Sequence, residues 1–332
     1  MSRPLPILSN MPWNVKQDIV NNLDHMSRLS VRKCSKDLRG IIDKSRVDYP
    51  QLLFFIGDNV VKLCFANRKI DQKENLKNVI TYIGGTKGSC RVRYARRGKD
   101  WEKRVPGEHF IQRAVSDVAT YLKSPRSSMN CLTLMKASSK PIEMNIMMLF
   151  ACLKRTLAKI PHQLNISRIH FHLPVNQKEI LHVLPLLKPG TLKIINIKNK
   201  TGEMEKLVET DQWKMAEQVA LVNESNVRIQ DFLHLRYFDT SNYRLVPEEL
   251  ELLIQTFLSQ PHKILHYRIR LPQNYDLALL REWLNDNEAL VQGSNPIVWH
   301  AKIPGTEFHA YMFLKITEFQ IYRVLSTSLE QL

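Results

Sequence analysis

The sequence predicts an α/β protein in three parts. A small all-α module (residues 5–48) is followed by a β-rich connector with one helix (49–128), and then by an open α/β solenoid with a mostly parallel sheet and a C-terminal cap (129–332). Three observations carry this division. Apolar residues recur at helical spacing through the first forty-odd residues, four short strand-like runs follow between residues 52 and 95, and from about residue 130 strand and helix patterns alternate. With 332 residues, 44% hydrophobic and 24% charged, the chain is globular in composition and long enough for one small and one larger core.

In the first part, Asn10 can cap a helix and Pro12 suits its first turn, where the missing N–H would be unpaired in any case. Val15, Ile19, Val20 and Leu23 then gather on one face, while Asn14, Lys16, Asp18 and Asn21 face water. Asp24-His25 breaks the pattern. A second run supplies Leu29, Val31, Cys34, Leu38, Ile41 and Ile42 as apolar positions, with Arg32, Lys33, Lys36 and Arg39 between them. About forty residues are too few to bury all of this internally, so part of the apolar surface meets either the rest of the chain or a partner.

In the connector, LLFFIG, VVKLCFA, NVITYI and SCRVRYA read as strands, and GGTKGS makes the turn between the last two. GGTKGS is not a phosphate loop, because the Gly-Lys-Ser/Thr order at a helix start is absent. EHFIQRAVSDVATYLKS is helical through Phe110, Ala114, Val118 and Leu122, and Pro125 to Ser128 ends it.

The third part repeats a strand-helix rhythm. CLTLMKA, SRIHFHL, LKIINIKN, DFLHLRYF and LHYRIRL are read as strands, separated by helices centred on 144–159, 177–187, 212–222 and 247–260. Aligning Leu132, Ile169, Ile195, Leu233 and Tyr267 gives intervals of 37, 26, 38 and 34 residues, within the range of irregular leucine-rich-repeat-like units. A doubly wound sheet competes, but its strands would be apolar on both faces, whereas these carry one polar row. DLALLREWLNDNEAL is a further helix, and the segment from Pro296 to Leu325 either closes the sheet as a hairpin or caps it.

The pleat sharpens this reading. With Ile169, Phe171 and Leu173 inward, His170 and His172 face outward, and the same register exposes Asn196 and Lys198, His234 and Arg236, and Arg268 and Arg270. Successive strands lie about 4.8 Å apart, so these residues form two rows across one face. Such a basic ladder suits an acidic or phosphorylated protein; the competing account is a solvated face made basic by overall composition.

The formal charge of +16 has a second concentration in residues 87–104, KGSCRVRYARRGKDWEKR, where Tyr94 and Trp101 add aromatic content. No RNA-recognition, zinc-finger or helix-turn-helix pattern accompanies it, which disfavours direct nucleic-acid binding. Five cysteines without a CxxC pair indicate neither a disulfide framework nor a zinc knuckle. His170 and His172 share a strand face, but with Asn196 and Lys198 as neighbours they make a poor metal site. There is no GxSxG and no HExxH, and Glu248, Glu249 and Glu251 after Pro247 suit a helix start electrostatically. No metal, cofactor or catalytic residue is therefore assigned. With neither a signal peptide nor a membrane span in the sequence, a cytoplasmic or nuclear location is expected.

Met11-Pro12, Ile19-Val20, Leu23, Leu29 and Cys34-Ser35-Lys36 with Leu38 occupy the places of an F-box pattern, which the first part resembles. Met11 stands where the pattern has leucine, and Leu38 where it has tryptophan. IHFHLPVNQKEILHVLPLLKPGTLKIINIKN and LVPEELELLIQTFLSQPHKILHYRIRL resemble the FTH (FOG-two homology) region that accompanies F-boxes in a large nematode family. The resemblance implies a non-catalytic substrate-recognition adaptor of an SCF-type ubiquitin ligase. A Skp-family adaptor, and through it cullin, would be met by an apolar set drawn from Pro12, Val15, Ile19, Val20, Leu23, Leu29, Cys34, Leu38 and Ile41, some of which instead hold the helices together. The other class left open is a non-catalytic scaffold or RNA-associated binding module that uses the basic sheet face.

Overall fold

The computed structural model describes residues 11–23, 25–32, 34–44, 48–66, 79–96, 99–137, 140–199, 203–222, 227–260, 264–278, 280, 282, 297–303, 306–315 and 317–325. It is a mixed α/β structure with helices at its N-terminus and a large, mostly sheet remainder. Its backbone divides into two compact units, residues 1–168 with 186–188, and residues 169–185 with 189–332.

The first unit begins with three short helices, α1 (Trp13–Asn22), α2 (His25–Arg32) and α3 (Lys36–Lys44). Val20, Leu38, Ile41 and Ile42 form their shared core, and Val31 packs against it. Pro12 sits at the N-cap of α1 and not inside its first turn, so its carbonyl, not its ring nitrogen, does the local work by accepting from the Lys16 amide. Ser35 caps α3 by accepting from the Leu38 amide at 3.1 Å.

Strands β1 (Asp48–Ile56), β2 (Val60–Ala66), β3 (Val79–Gly84), β4 (Cys90–Arg96) and β5 (Lys99–Val105) follow as an antiparallel meander. Helix α4 (Phe110–Leu122) then leads to β6 (Ser128–Lys136), which pairs parallel to β1, and α5 (Glu143–Leu157) packs on α4. Strand order is β6-β1-β2-β3-β4-β5. With β2 and β6 beside it, β1 is interior, and Leu52, Leu53, Phe54 and Ile56 are all buried, as a strand covered on both faces requires. Tyr82 on β3 donates to Asp117 on α4 at 2.7 Å, and Arg113 donates to the same carboxylate at 2.6 Å, tying helix to sheet.

The second unit contains most of β7 (Asn165–Val175), then α6 (Gln177–Leu181), β8 (Ile194–Asn199), α7 (Glu205–Val208), α8 (Asp211–Lys214), β9 (Gln218–Val222), β10 (Tyr237–Ser241), α9 (Pro247–Ser259) and β11 (His266–Arg270). Strands β8 to β11 lie side by side in chain order and run parallel. The last segment, β12 (Ile297–Lys302), β13 (Phe308–Lys315) and β14 (Glu318–Leu325), extends the sheet with antiparallel strands, β14 lying against β11. The pairing registers align Ile195, Val219, Phe238, Tyr267, Ile321 and Met312 in one row, and every one of them is buried.

Two expectations for this region need correction. The helix expected at 212–222 is reduced to α8, and β9 follows it, because Val219 and Leu221 alternate with Gln218, Ala220 and Val222 at the period of a strand. The strand expected at DFLHLRYF is instead a 3₁₀ turn at Ile229–Asp231 and a bend, with β10 beginning only at Tyr237. Phe232 and Leu235 are both fully buried, and their spacing of three suits a turn and not a pleat. The Tyr267 hydroxyl pins that bend by donating to the Leu235 carbonyl at 3.2 Å. Most of the helix expected in DLALLREWLNDNEAL lies outside the described residues.

Within the same core, the Thr240 hydroxyl is buried and has no hydrogen-bond partner among the described residues. An unsatisfied buried hydroxyl costs about 1–3 kcal/mol, so Thr240→Val is expected to preserve or raise the urea midpoint. A clear drop would show that the hydroxyl is engaged.

Candidate docking surfaces

The helical module separates its apolar residues into two sets. Val20, Leu38 and Ile41 are at most 3% exposed and are committed to the module's own core. Pro12, Val15 and Cys34 are exposed, and Ile19 and Leu23 are half-buried; Leu29 falls outside the residues whose side chains are described. Along α1, Pro12, Val15, Ile19 and Leu23 follow spacings of three and four, which place them on one side of the helix. Trp13, 55% exposed, lies beside them, and it is the residue that periodicity alone did not single out. Its signal was its type, since an exposed indole is favoured where a partner will cover it.

Polar contacts fix the module's shape. Arg28 is largely buried and donates to the carbonyls of Leu23 at 3.1 Å and Asn21 at 2.9 Å, closing the α1–α2 corner. Arg32 grips Asp43 through two hydrogen bonds of 2.7 and 3.1 Å, which locks α2 to α3. The apolar side of α1 is therefore presented by a braced support.

The sheet face of the second unit is less basic than its sequence suggests. His170 and His172 do point away from the inward row of Ile169, Phe171 and Leu173, and their rings meet edge to face at 5.7 Å. Asn196 and Lys198 likewise alternate with buried Ile195 and Ile197. His234 and Arg236, however, precede β10 and leave the ladder: His234 Nε2 lies 3.0 Å from the Trp213 carbonyl, and Arg236 reaches toward Glu217 at 3.9 Å. Their places on the strand are taken by Tyr237, Asp239 and Ser241.

This substitution changes the electrostatics. Asp239 is the register partner of Arg268 and accepts from Arg270 at 2.9 Å, while Arg268 donates to Glu318. Both arginines expected to offer free charge are thus paired within the sheet. Burial pushes the Asp239 carboxyl up, because its second oxygen has no partner among the described residues and the arginines only partly offset the desolvation. At Glu318 burial acts the same way, but the bond to Arg268 outweighs it and holds the carboxyl below its ordinary value.

Burial, reinforced by the neighbouring Lys198 cation, also holds His172 below the usual imidazole value. Burial does the same at His109 and at His266. At neutral pH His172 therefore carries little charge. In the unfolded chain these imidazoles bind protons first as pH falls, so their contribution to stability is complete above about pH 6.5 and is lost below it. We expect a lower urea midpoint at about pH 5 than at about pH 7.5, with His172→Gln shrinking the difference. An unchanged difference in that variant would remove His172 from the account.

Among the described residues, no group of His, Cys, Asp and Glu is arranged to hold a metal ion. Cys64, Cys90, Cys131 and Cys152 are buried, and burial pushes the Cys64 thiol up to about 11, so it is protonated at neutral pH. No described helix is long and apolar enough to cross a membrane.

Among the described residues, the helical module exposes Pro12, Trp13 and Val15 on α1, and a large, mostly sheet remainder follows it in the chain. Comparison with known proteins finds two domain matches. The family model for the F-box domain matches residues 8–49, and that for the FTH domain matches residues 148–276. F-box A protein 224 of Caenorhabditis elegans is 23% identical over 235 residues, a stretch covering 68% of this chain and 57% of the relative. The chain thus spans 57% of the length of the curated relative it matches. No solved structure matches. An F-box match followed by an FTH match, together with this relative, supports a nematode F-box protein that carries an FTH domain.

Proposed function

We propose that the chain is a substrate-recognition adaptor of an SCF-type E3 ubiquitin ligase. Its F-box docks onto a Skp-family adaptor and through it reaches cullin, while the sheet-based remainder holds the target protein. The observation that carries this reading is the apolar side of α1: Pro12, Trp13 and Val15 are exposed on a helix whose inward residues already satisfy the module's core. The contact set is accordingly Pro12, Trp13, Val15, Ile19 and Leu23 with Cys34, and Val20, Leu38 and Ile41 act by holding it in place.

The chain catalyses nothing itself on this reading. It raises the effective concentration of target lysines near a charged ubiquitin-conjugating enzyme, a gain that needs no new chemistry, only simultaneous engagement of both partners. We read β7 to β11 with their helices as an irregular leucine-rich-repeat-like solenoid, an assignment supported by the adjacency of these strands in chain order and the parallel pairing of β8 to β11. A doubly wound sheet would reverse its strand order at a switch point. The target-binding set contracts to His170, His172, Asn196 and Lys198. The internal pairing of Arg268 and Arg270 weakens the alternative of a scaffold that binds RNA through a basic face.

Co-purification of the full chain with a recombinant Skp-family protein and cullin tests the proposal. Stoichiometric capture supports it, and absence of capture by the folded chain sinks it. A truncation is a poor control here, because β1 starts at Asp48 and removing the first fifty residues would cut an interior strand.

A further inference from the structure

Where the β3–β4 turn comes near the β1–β2 turn, the first unit holds a cleft of about 490 Å³ whose lining includes Arg91 and Arg104. We propose that this cleft binds a phosphate monoester dianion, a site distinct from the docking surfaces described above and independent of the adaptor reading.

The charge arrangement is the first argument. Arg91 and Arg104 are direct cross-strand partners in the β4–β5 register, and like charges placed opposite each other destabilise a strand pair unless something neutralises them. The protein supplies little for this. Arg91 lies 3.6 Å from Glu102, longer than a charge-assisted hydrogen bond, with both side chains about half exposed, and Arg104 forms no ion pair among the described residues. Residues 87–104 hold eight Lys or Arg and two Asp or Glu, so the surrounding field is positive as well. A guanidinium fork fits phosphate oxygens two at a time, and two such forks match a dianion.

The wall opposite is rigid, which is the second argument. Gly84 donates its amide to the Asn59 carbonyl at 3.0 Å, and the Asn59 side chain donates back to the Gly84 carbonyl at 3.2 Å. Gly85 donates to the Ser89 carbonyl at 2.8 Å, and the Ser89 hydroxyl donates to the Thr86 carbonyl at 2.8 Å. A Cβ on Gly84 would stand 1.9 Å from Asn59 Oδ1, and one on Gly85 would stand 2.7 Å from Ser89 Oγ, so a side chain at either position would displace the groups that make this closure. Thr86, exposed at the cleft, adds a hydroxyl donor. The turn leads from strand to strand and not into a helix, so the anion is held by side chains and not by a helix N-terminus.

Titration calorimetry on the full chain tests this with inorganic phosphate, free phosphoserine and a short phosphoserine peptide as probes. Saturable binding of all three is expected, weakened by about tenfold or more in Arg104→Gln and in Arg91→Gln, and by less in Arg104→Lys, which keeps the charge but loses the fork. Arg93→Gln removes the same charge from the same strand outside the cleft and is expected to bind within about twofold of the parent. Tighter binding of the peptide than of inorganic phosphate identifies a phosphorylated side chain as the source, and equal binding identifies a free phosphate or small ester. Failure of every probe to saturate, or an Arg93→Gln loss equal to that of Arg104→Gln, overturns the site.

Discussion

Phe238→Ala is expected to cost about 3–5 kcal/mol, the largest loss of stability from any single truncation considered for this chain. Phe238 is fully buried on β10, between β9 and β11. Its ring stacks on Phe232 at 4.4 Å with 8° between planes, and meets Tyr267 at 5.1 Å. Removing it opens a cavity between two aromatic neighbours that cannot both collapse inward. Phe232 belongs to the bend that Tyr267 pins, and Tyr267 is held by its own register with Phe238. Phe238→Leu, which retains much of the volume, should lose far less. Trp213, packed 5.8 Å from Phe232, gives a fluorescence signal for urea unfolding of this region. A midpoint in Phe238→Ala close to that of the parent would show that the aromatic row does not hold the sheet.

The same row shows what could be read in advance. Strands such as β11 and β7 from Ile169 onward were legible because polar positions such as His170, His172, Arg268 and Arg270 each lie between two buried ones. The α9 helix was legible from Pro247 and the glutamates after it, and Glu249 does cap the helix start by accepting from the Val246 amide. The stretch from Asp231 to Phe238 misled because Phe232, Leu235 and Phe238 are all buried at a spacing of three, which neither a pleat nor a regular helix imposes. Long-range contacts hold the bend there, among them the bonds from the Tyr267 hydroxyl to the Leu235 carbonyl and from the Trp213 indole to the Asp231 carbonyl.

The candidate surfaces show a parallel split. An outward-pointing residue is predictable from the pleat, but whether its charge is free is not. Arg268 and Arg270 do project from the half-exposed face, yet Glu318 lies fifty residues beyond Arg268 and Asp239 lies on a strand whose start was misplaced. Periodicity reports which way a side chain points; long-range pairing decides what it meets. In the helical module the sequence could only pool the apolar positions. Dividing them into a core set and an uncovered set required knowing that Lys16 and Val20, not Val15 and Ile19, are the positions of α1 that are buried.

That division makes the second large effect a sharp one. Val15→Asp combined with Ile19→Asp is expected to reduce capture by a Skp-family adaptor by about a hundredfold or more, since a carboxylate forced into an apolar interface is left without a partner. Val15 is 37% exposed and Ile19 half-buried, so the free module should keep its helicity and melting temperature nearly unchanged. Leu38→Ala supplies the contrast. Leu38 is 3% exposed within the module's core, and its truncation should cost about 2–5 kcal/mol of stability, weakening capture only by depopulating the folded module. Lowering the temperature should therefore restore capture by Leu38→Ala and leave the double aspartate variant unable to bind. Should the aspartate pair bind normally while Leu38→Ala stays inactive in its folded state, the recruiting face would lie on α3, and the adaptor would be met by the side of the module that includes Cys34.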